Sequence, residues 1–254
     1  MKKLTVTIIT LNEEKKIKRC LDSVVPFADE IVVVDSLSTD STKDICATYS
    51  NLKFVEQKWL GYSEQKNLAN DLSTNDWIFS IDADEEVSDK LQQSIIEWKK
   101  TDSNENECFE MDRLTNYCGK WIRRCGWYPD TKIRIWNRKA GKWKGAIHEV
   151  IDFAMNMTTI KLYGDLLHYS FETDADYRRQ MFHFAEIGGK AYFEKGKRNA
   201  TFYCIVSPLV TFVRQYIVRL GFLEGKAGFK ICRTAAQATL HKYRTLRQLI
   251  KQNA

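Results

Sequence analysis

Three β-branched, apolar runs, each ending on a polar cluster, constrain this chain more than any other feature. Leu4-Thr-Val-Thr-Ile-Ile-Thr10 runs into Asn12, Ile31-Val-Val-Val34 ends in Asp35, and Trp77-Ile-Phe-Ser-Ile81 ends in Asp82-Ala83-Asp84. Near-continuous apolar runs are what strands need when both faces of a sheet are covered. Helix-period segments separate them. Ile17, Leu21, Val24 and Val25 share one face, with Asn12 offered as an N-cap. The capping residues 38–42 precede a short helix through Ile45, residues 52–55 read as a weaker strand, and residues 62–72 read as helix. Ser88 caps a further helix that carries Leu91, Ile95 and Trp98. Strand and helix alternating four times predict an α/β fold, a mostly parallel sheet with helices on both faces. Such sheets bind ligands at the carboxyl ends of their strands, where the three polar clusters fall. Neither GxGxxG nor a Walker A motif is present, which disfavours a dinucleotide fold or a P-loop.

The texture changes after Ser103. Residues 108–118 and 132–136 read as strands around an aromatic and basic loop, 121–128, and residues 161–168 are the last expected strand. Asp174 then opens a helical region that reaches the C-terminus. The expected organisation is an α/β domain over residues 1–170, with the ligand site at its strand ends, and a basic amphipathic helical extension over 171–254. At 254 residues, 44% hydrophobic and 28% charged, the chain has the composition of a soluble globular protein with a sizeable core. No run of about 18 consecutive apolar residues is present, so no spanning helix is expected. Residues 1–10 lack the features of a signal peptide, which places the chain on the cytosolic side. The seven cysteines form no CxxC pair, so a zinc site or disulfide framework is disfavoured and buried thiols are expected.

Asp82-Ala83-Asp84 is the most informative motif. Two carboxylates two residues apart, around a turn at a strand's end, suit one hard divalent cation that bridges to substrate phosphates. With three companion segments this motif resembles the family 2 glycosyltransferases, nucleotide-sugar enzymes of the GT-A fold. The companions are Val6-Thr-Ile-Ile-Thr-Leu-Asn-Glu-Glu14, Ile31-Val-Val-Val-Asp-Ser-Leu-Ser-Thr-Asp-Ser-Thr42 and Gly61-Tyr-Ser-Glu-Gln-Lys-Asn67; the motif itself lies in Phe79-Ser-Ile-Asp-Ala-Asp-Glu85. Trp143-Lys-Gly-Ala-Ile-His-Glu149 and Leu167-His-Tyr-Ser170 extend the likeness to the branch that builds bacterial lipopolysaccharide inner core, including enzymes that add glucose to heptose.

The resemblance implies a metal-dependent, inverting hexosyltransferase with Mn²⁺ or Mg²⁺ as cofactor, a UDP-sugar donor and a lipid-linked glycan acceptor. By it, Thr10, Asn12 and Glu14 line the nucleoside pocket, Asp35 accepts from the uracil or ribose, and Ser38 and Asp40 lie nearby. Lys66 faces the diphosphate, Asp82 the ribose or the metal, and Ala83 sits between the two aspartates. Asp84 is the direct metal ligand, with His168 as a late metal or diphosphate contact. Glu149 is the general base, and His148 the alternative. Many relatives carry a second acidic residue beside Asp35, where this chain has Ser36. A protein or polysaccharide acceptor, or a non-catalytic nucleotide-sugar-binding scaffold, is the competing reading. A sugar-nucleotide pyrophosphorylase is disfavoured because Asn12-Glu-Glu14 is the wrong chemistry for a triphosphate.

Charge divides the chain. Up to Asp176 there are 24 basic and 30 acidic residues, whereas from Tyr177 onward there are 15 basic and 3 acidic. Such a tail suits an anionic partner. Nucleic acid is disfavoured, because the tail's apolar residues fall on amphipathic helical spacing and no nucleic-acid module is apparent. Residues 201–223 are strongly apolar but are interrupted by Arg214, Gln215 and Arg219. A helix lying in the interface suits them, with Phe212, Ile217 and Leu220 among acyl chains. The expectation is a peripheral protein on the cytoplasmic face of the inner membrane; a homo-oligomer through the C-terminal helices is the other use of this surface.

Overall fold

The computed structural model describes residues 1–145 and 149–253. The chain begins β1 (Leu4–Thr10), α1 (Ile17–Val24), β2 (Glu30–Asp35), α2 (Thr42–Cys46), β3 (Leu52–Glu56) and α3 (Tyr62–Asp71). It continues through β4 (Trp77–Asp82), β5 (Glu85–Val87), α4 (Asp89–Lys100), β6 (Glu107–Tyr117), β7 (Lys120–Trp121) and β8 (Asp130–Asn137). Next come β9 (Gly141–Lys144), β10 (Val150–Phe153), β11 (Thr158–Phe171), α5 (Asp174–Glu194), α6 (Ala200–Val213) and α7 (Gly225–Gln252). A π-helical turn, Arg214–Val218, and a 3₁₀ turn, Gly221–Glu224, join α6 to α7.

The large sheet runs β3-β2-β1-β4-β8-β6-β11-β5. Its β3-β2-β1-β4 half is parallel, and β8 continues it antiparallel to β4 and β6. This is the α/β fold expected from the sequence, with an antiparallel second half. β9 and β10 form a separate antiparallel pair. The residues gather into two compact units, Met1–Arg113 with Asp130–His168, and Leu114–Pro129 with Tyr169–Ala254.

In the first unit, burial explains the strand runs. Leu4, Val6 and Ile8 of β1 are buried on one face, and Thr5 and Thr7 are buried on the other. The two threonines tolerate burial because each hydroxyl has a partner: Thr5 donates to Glu30 at 2.6 Å and Thr7 to Asn70 at 3.1 Å. Ile17, Cys20, Leu21 and Val24 of α1 are fully buried against this sheet core, but Val25 is 40% exposed. Asn12 does not cap α1. The helix begins five residues later, at Ile17 behind Lys16, without a side-chain cap, while Asn12 takes a left-handed conformation (φ 55°) and its Oδ1 accepts from the Thr39 amide. Asparagine adopts that conformation more readily than most residues, and here another loop competes for its side chain. Five of the seven cysteines are buried, and none is in a disulfide.

The second unit has a smaller core of Tyr117, Ile122, Cys125, Tyr177, Ile231 and Cys232, with Trp127 and Phe171 packed against it. Helix α5 starts with a capping box: the Thr173 hydroxyl accepts from the Asp176 amide, and the Asp176 carboxylate accepts from the Thr173 amide. Glu224 is buried and accepts from the Arg123 and Arg124 amides, with Lys120 2.8 Å away. Helix α6 runs into the π-helical turn as one helical stretch, Ala200–Val218, long and apolar enough by length and composition to cross a membrane. The sequence expectation of no such helix is corrected here: of the interruptions it rested on, Arg214, Gln215 and Arg219, the first two fall within Ala200–Val218, and they leave the stretch apolar on average.

Candidate active site

Two neighbouring loops meet at the ends of β1 and β2. The Asn12 amide donates to Ser38 Oγ at 2.8 Å, the Glu13 amide to Thr42 Oγ1 at 2.9 Å and the Glu14 amide to Asp40 at 3.1 Å. In return the Ser41 amide donates to Glu14 at 3.1 Å and the Thr39 amide to Asn12 at 2.8 Å. Asp35, 1% exposed, accepts from both the amide and the hydroxyl of Ser38, at 2.7 and 2.5 Å. Asn12, Glu14, Asp35, Ser38 and Asp40 are therefore brought together, and in this structure they lace the two loops to each other. Asp40 is held below the usual carboxylate range: burial opposes its charge, but the Thr42 hydroxyl and the Glu14 and Thr42 amides outweigh it.

Beside these loops lies a cavity of about 690 Å³, lined by Thr10, Leu11, Glu13, Trp59, Tyr62, Lys66, Asp82, Ala83, Asp84 and Glu149 among others. Of the residues that line it, Thr10, Lys66, Asp82, Ala83, Asp84 and Glu149 were expected at the site from the sequence. Glu13, Trp59 and Tyr62 were not. Glu13 rather than Glu14 lines the cavity, and burial, with Asp84 nearby, raises its carboxyl pKa. The exposed rings of Trp59 and Tyr62 meet edge to face at 4.7 Å.

Helix α3 supplies Tyr62 and Lys66, one turn apart on the same face. It starts after Gly61, whose φ of 109° suits glycine, and a Cβ there would lie 2.9 Å from Glu64. Asn67 on the same helix brackets the backbone of Trp143, accepting from its amide at 2.8 Å and donating to its carbonyl at 2.9 Å. That clamp fixes β9, from which the chain leads on to Glu149.

Lys66 is the centre of the charge cluster. Its ammonium lies 3.0 Å from Asp82, 3.8 Å from Glu149 and 4.7 Å from the centre of the Trp143 ring. The other Asp82 oxygen accepts from Arg134 at 2.9 Å, and Arg134 also donates to the fully buried Glu85 at 2.7 Å. Burial would raise the Asp82 pKa, but Lys66 and Arg134 hold it well below the usual carboxylate range. A buried arginine needs such partners. Arg134 and Glu85 were missed: an arginine at alternate positions in Lys132-Ile-Arg-Ile-Trp136 reads equally well as solvent-facing.

A second cavity, about 700 Å³, shares Lys66, Asp82 and Glu149 with the first. Its wall carries Trp143, Ile151 and Phe153, and its charged side Glu110, Arg113 and Lys132. Glu149 thus borders two spaces of substrate size. His148, the other candidate base, lies outside the described residues.

Asp84 and His168 are brought together by the sheet. β11 pairs antiparallel with β5 in a register that sets His168 opposite Glu85, and the imidazole Nε2 lies 3.3 Å from the Asp84 carboxylate. One carboxylate and one imidazole suit Mn²⁺ or Mg²⁺ when diphosphate oxygens complete the coordination. Among the described residues no cluster of three or more His, Cys, Asp or Glu side chains could hold a metal without substrate. The donor set fits a cation held jointly with a diphosphate.

Known proteins show the family. An uncharacterized glycosyltransferase of Rickettsia typhi is 31% identical over 239 residues, covering 90% of this chain and 81% of that one. The lipopolysaccharide core biosynthesis glycosyltransferase LpsC of Rhizobium meliloti is 28% identical, covering 92% of this chain and 87% of its own length. A mannosyltransferase of Pyrobaculum calidifontis, solved in complex with GDP-Man and Mn²⁺, shares the fold with a TM-score of 0.54 at 16% identity, over 96% of this chain and 86% of that one. The family described as Glycosyl transferase family 2 matches residues 5–158, and with strand-end carboxylates, a lysine between them and a carboxylate bordering both cavities, this chain belongs to that family.

Proposed function

We propose that the protein is an inverting glycosyltransferase that moves a hexose, glucose by resemblance, from a UDP-sugar to a lipopolysaccharide-core or other lipid-linked glycan. The single observation that carries this reading is the position of Glu149 on the border of two cavities, each large enough for a substrate. The donor would occupy the cavity with Thr10, Asp84, Trp59 and Tyr62, where the exposed rings offer a stacking surface for a base. The acceptor would occupy the cavity walled by Trp143, Ile151 and Phe153.

In the reaction the acceptor hydroxyl attacks the anomeric carbon as Glu149 takes its proton, and the nucleoside diphosphate leaves from the opposite face. One displacement inverts the anomeric centre. Lys66 fixes the carboxylates of Glu149 and Asp82 relative to each other, and Arg134 with Glu85 fixes Asp82 from behind. A divalent cation held by Asp84, His168 and the diphosphate would neutralise the charge that grows on the leaving group. The name of LpsC supports a lipopolysaccharide-core acceptor.

The test is turnover with UDP-glucose and an isolated core acceptor, measured beside donor binding. Glu149→Gln keeps size and hydrogen bonding but accepts no proton. It should retain donor-induced thermal stabilisation while turnover falls about 10²–10⁴-fold. A variant within a few-fold of wild type removes Glu149 from the base role. Stabilisation by GDP-sugars and not by UDP-sugars overturns the donor assignment.

A further inference from the structure

Helix α6 turns an apolar face to solvent. On a soluble helix the apolar face packs inward and the polar face meets water. Here Phe202, Ile205, Leu209, Val213 and Ile217 recur at helical spacing and are 62%, 75%, 66%, 43% and 53% exposed. The half-buried face is mixed, with Val206, Phe212 and Tyr216 beside Ser207, Thr211 and Gln215. Thr211 lies 3.3 Å, hydroxyl to hydroxyl, from Thr239 of α7, and Gln215 is half-buried with an unpaired carbonyl oxygen. Val218, Leu220, Phe222 and Leu223 continue the exposed apolar surface through the turns that follow, where Leu220 takes a left-handed conformation (φ 54°). Phe212, expected from the sequence among the acyl chains, instead packs on Tyr216 at 5.1 Å and on Phe229 at 6.1 Å.

An apolar stripe of this length is rare on a soluble monomer and marks an interaction surface. Charge identifies the partner. Lys195, Lys197 and Arg198 lie just before the stripe, Arg214 and Arg219 lie within it, and Lys226 and Lys230 follow it; all seven are exposed. From Lys195 to Lys251 the one acidic residue is Glu224, which is buried and paired with Lys120. Two copies meeting through this surface would oppose cation to cation with no carboxylate between them. An anionic bilayer satisfies both the stripe and its rim.

We propose that the exposed stripe of α6, with the turns after it, inserts into the surface of an anionic lipid bilayer and makes the protein peripheral on that membrane. The helix lies along the surface and does not cross. Crossing would separate Thr211 from Thr239 and Tyr203 from Tyr243, whose rings stack at 5.4 Å, and would carry Arg214 and Gln215 into hydrocarbon. This inference stands independently of the sugar-transfer reading.

The test is co-sedimentation of the full chain with vesicles of phosphatidylglycerol and phosphatidylcholine in equal parts, and with phosphatidylcholine alone. Wild type should pellet with the anionic vesicles, less so as salt rises. Ile205→Asp with Leu209→Asp, both at exposed positions, should weaken binding at least about tenfold with the melting temperature unchanged. If that pair fails to fold, Val218→Asp probes the same stripe. Lys195→Gln, Lys197→Gln and Arg198→Gln together should weaken binding by roughly fivefold per cation removed. Wild type left in the supernatant at low salt, or an aspartate variant that pellets equally, overturns the proposal. A lipid-free dimer that the aspartate pair dissolves also overturns it and gives the stripe to a second copy.

Discussion

Helices α1 and α6 both carry apolar residues at helical spacing, α1 on one sharp face and α6 on most of its surface, and they turn them in opposite directions. In α1, Ile17, Cys20, Leu21 and Val24 are fully buried against the parallel sheet, and the polar face meets solvent. In α6 an apolar face meets solvent, and Thr211 on the other side meets Thr239 of α7. A periodic pattern thus says that a helix has a preferred face. It does not say whether protein or another medium covers that face. The difference separates residues that hold the first unit together from residues left exposed to a partner.

The largest expected effect lies at the strand ends. Asp84→Ala should abolish transfer and Mn²⁺-dependent donor binding and leave the melting temperature within a few degrees, because a carboxylate at the cavity contributes little to folding. Activity retained at saturating donor would move the cation site elsewhere. Next comes the contrast between the two helices. Leu21→Ala in α1 should cost about 2–5 kcal/mol of unfolding free energy by leaving a cavity in the sheet core. Leu209→Ala in α6 should change stability in water by less than about 0.5 kcal/mol. Denaturant melts of both variants check this, and equal losses would mean that α6 is covered in solution and the comparison fails.

A smaller effect separates charge from packing. Asp82 has its folded-state pKa depressed, so its ion pairs stabilise the fold above the ordinary carboxylate pKa of about 3.9 and are lost as pH falls toward the folded value. The melting temperature of wild type should therefore drop more steeply between about pH 5 and pH 3 than that of Asp82→Asn. Parallel slopes would show that other carboxylates dominate the acid limb. The smallest expected change is Asp40→Asn. Its single carbonyl oxygen can replace only one of the two carboxylate oxygens, which accept separately from the Glu14 and Thr42 amides. The loops therefore loosen, and activity should fall only a few-fold, as suits a residue that laces loops. A loss as deep as that of Asp84→Ala would return Asp40 to direct contact with the donor.

The strands were legible because their apolar runs are short, β-branched and bounded by polar clusters, and an order of strand then helix leaves few topologies. That Thr10, Lys66, Asp82, Ala83, Asp84 and Glu149 line one cavity could be expected for a related reason: four sit at or just beyond strand ends, and Lys66 and Glu149 rest on motifs of the resembled family. What was not legible needed distances. The face of a strand on which Arg134 lies, the choice between Glu13 and Glu14, and the use of Asn12 as a lace instead of a cap each turn on which neighbour arrives first. That neighbour is many residues away in sequence.

By itself, then, the sequence determined the alternation of strand and helix, the carboxylates at the strand ends and the basic charge of the last 78 residues, because each is a local property of composition and period. Tertiary structure decided the rest. It set His168 beside Asp84 through the β5–β11 register, placed Lys66 among Asp82, Glu149 and Trp143, and turned an apolar face of α6 outward. Register, burial and the facing of a helix depend on contacts between distant segments. No local pattern carries those contacts.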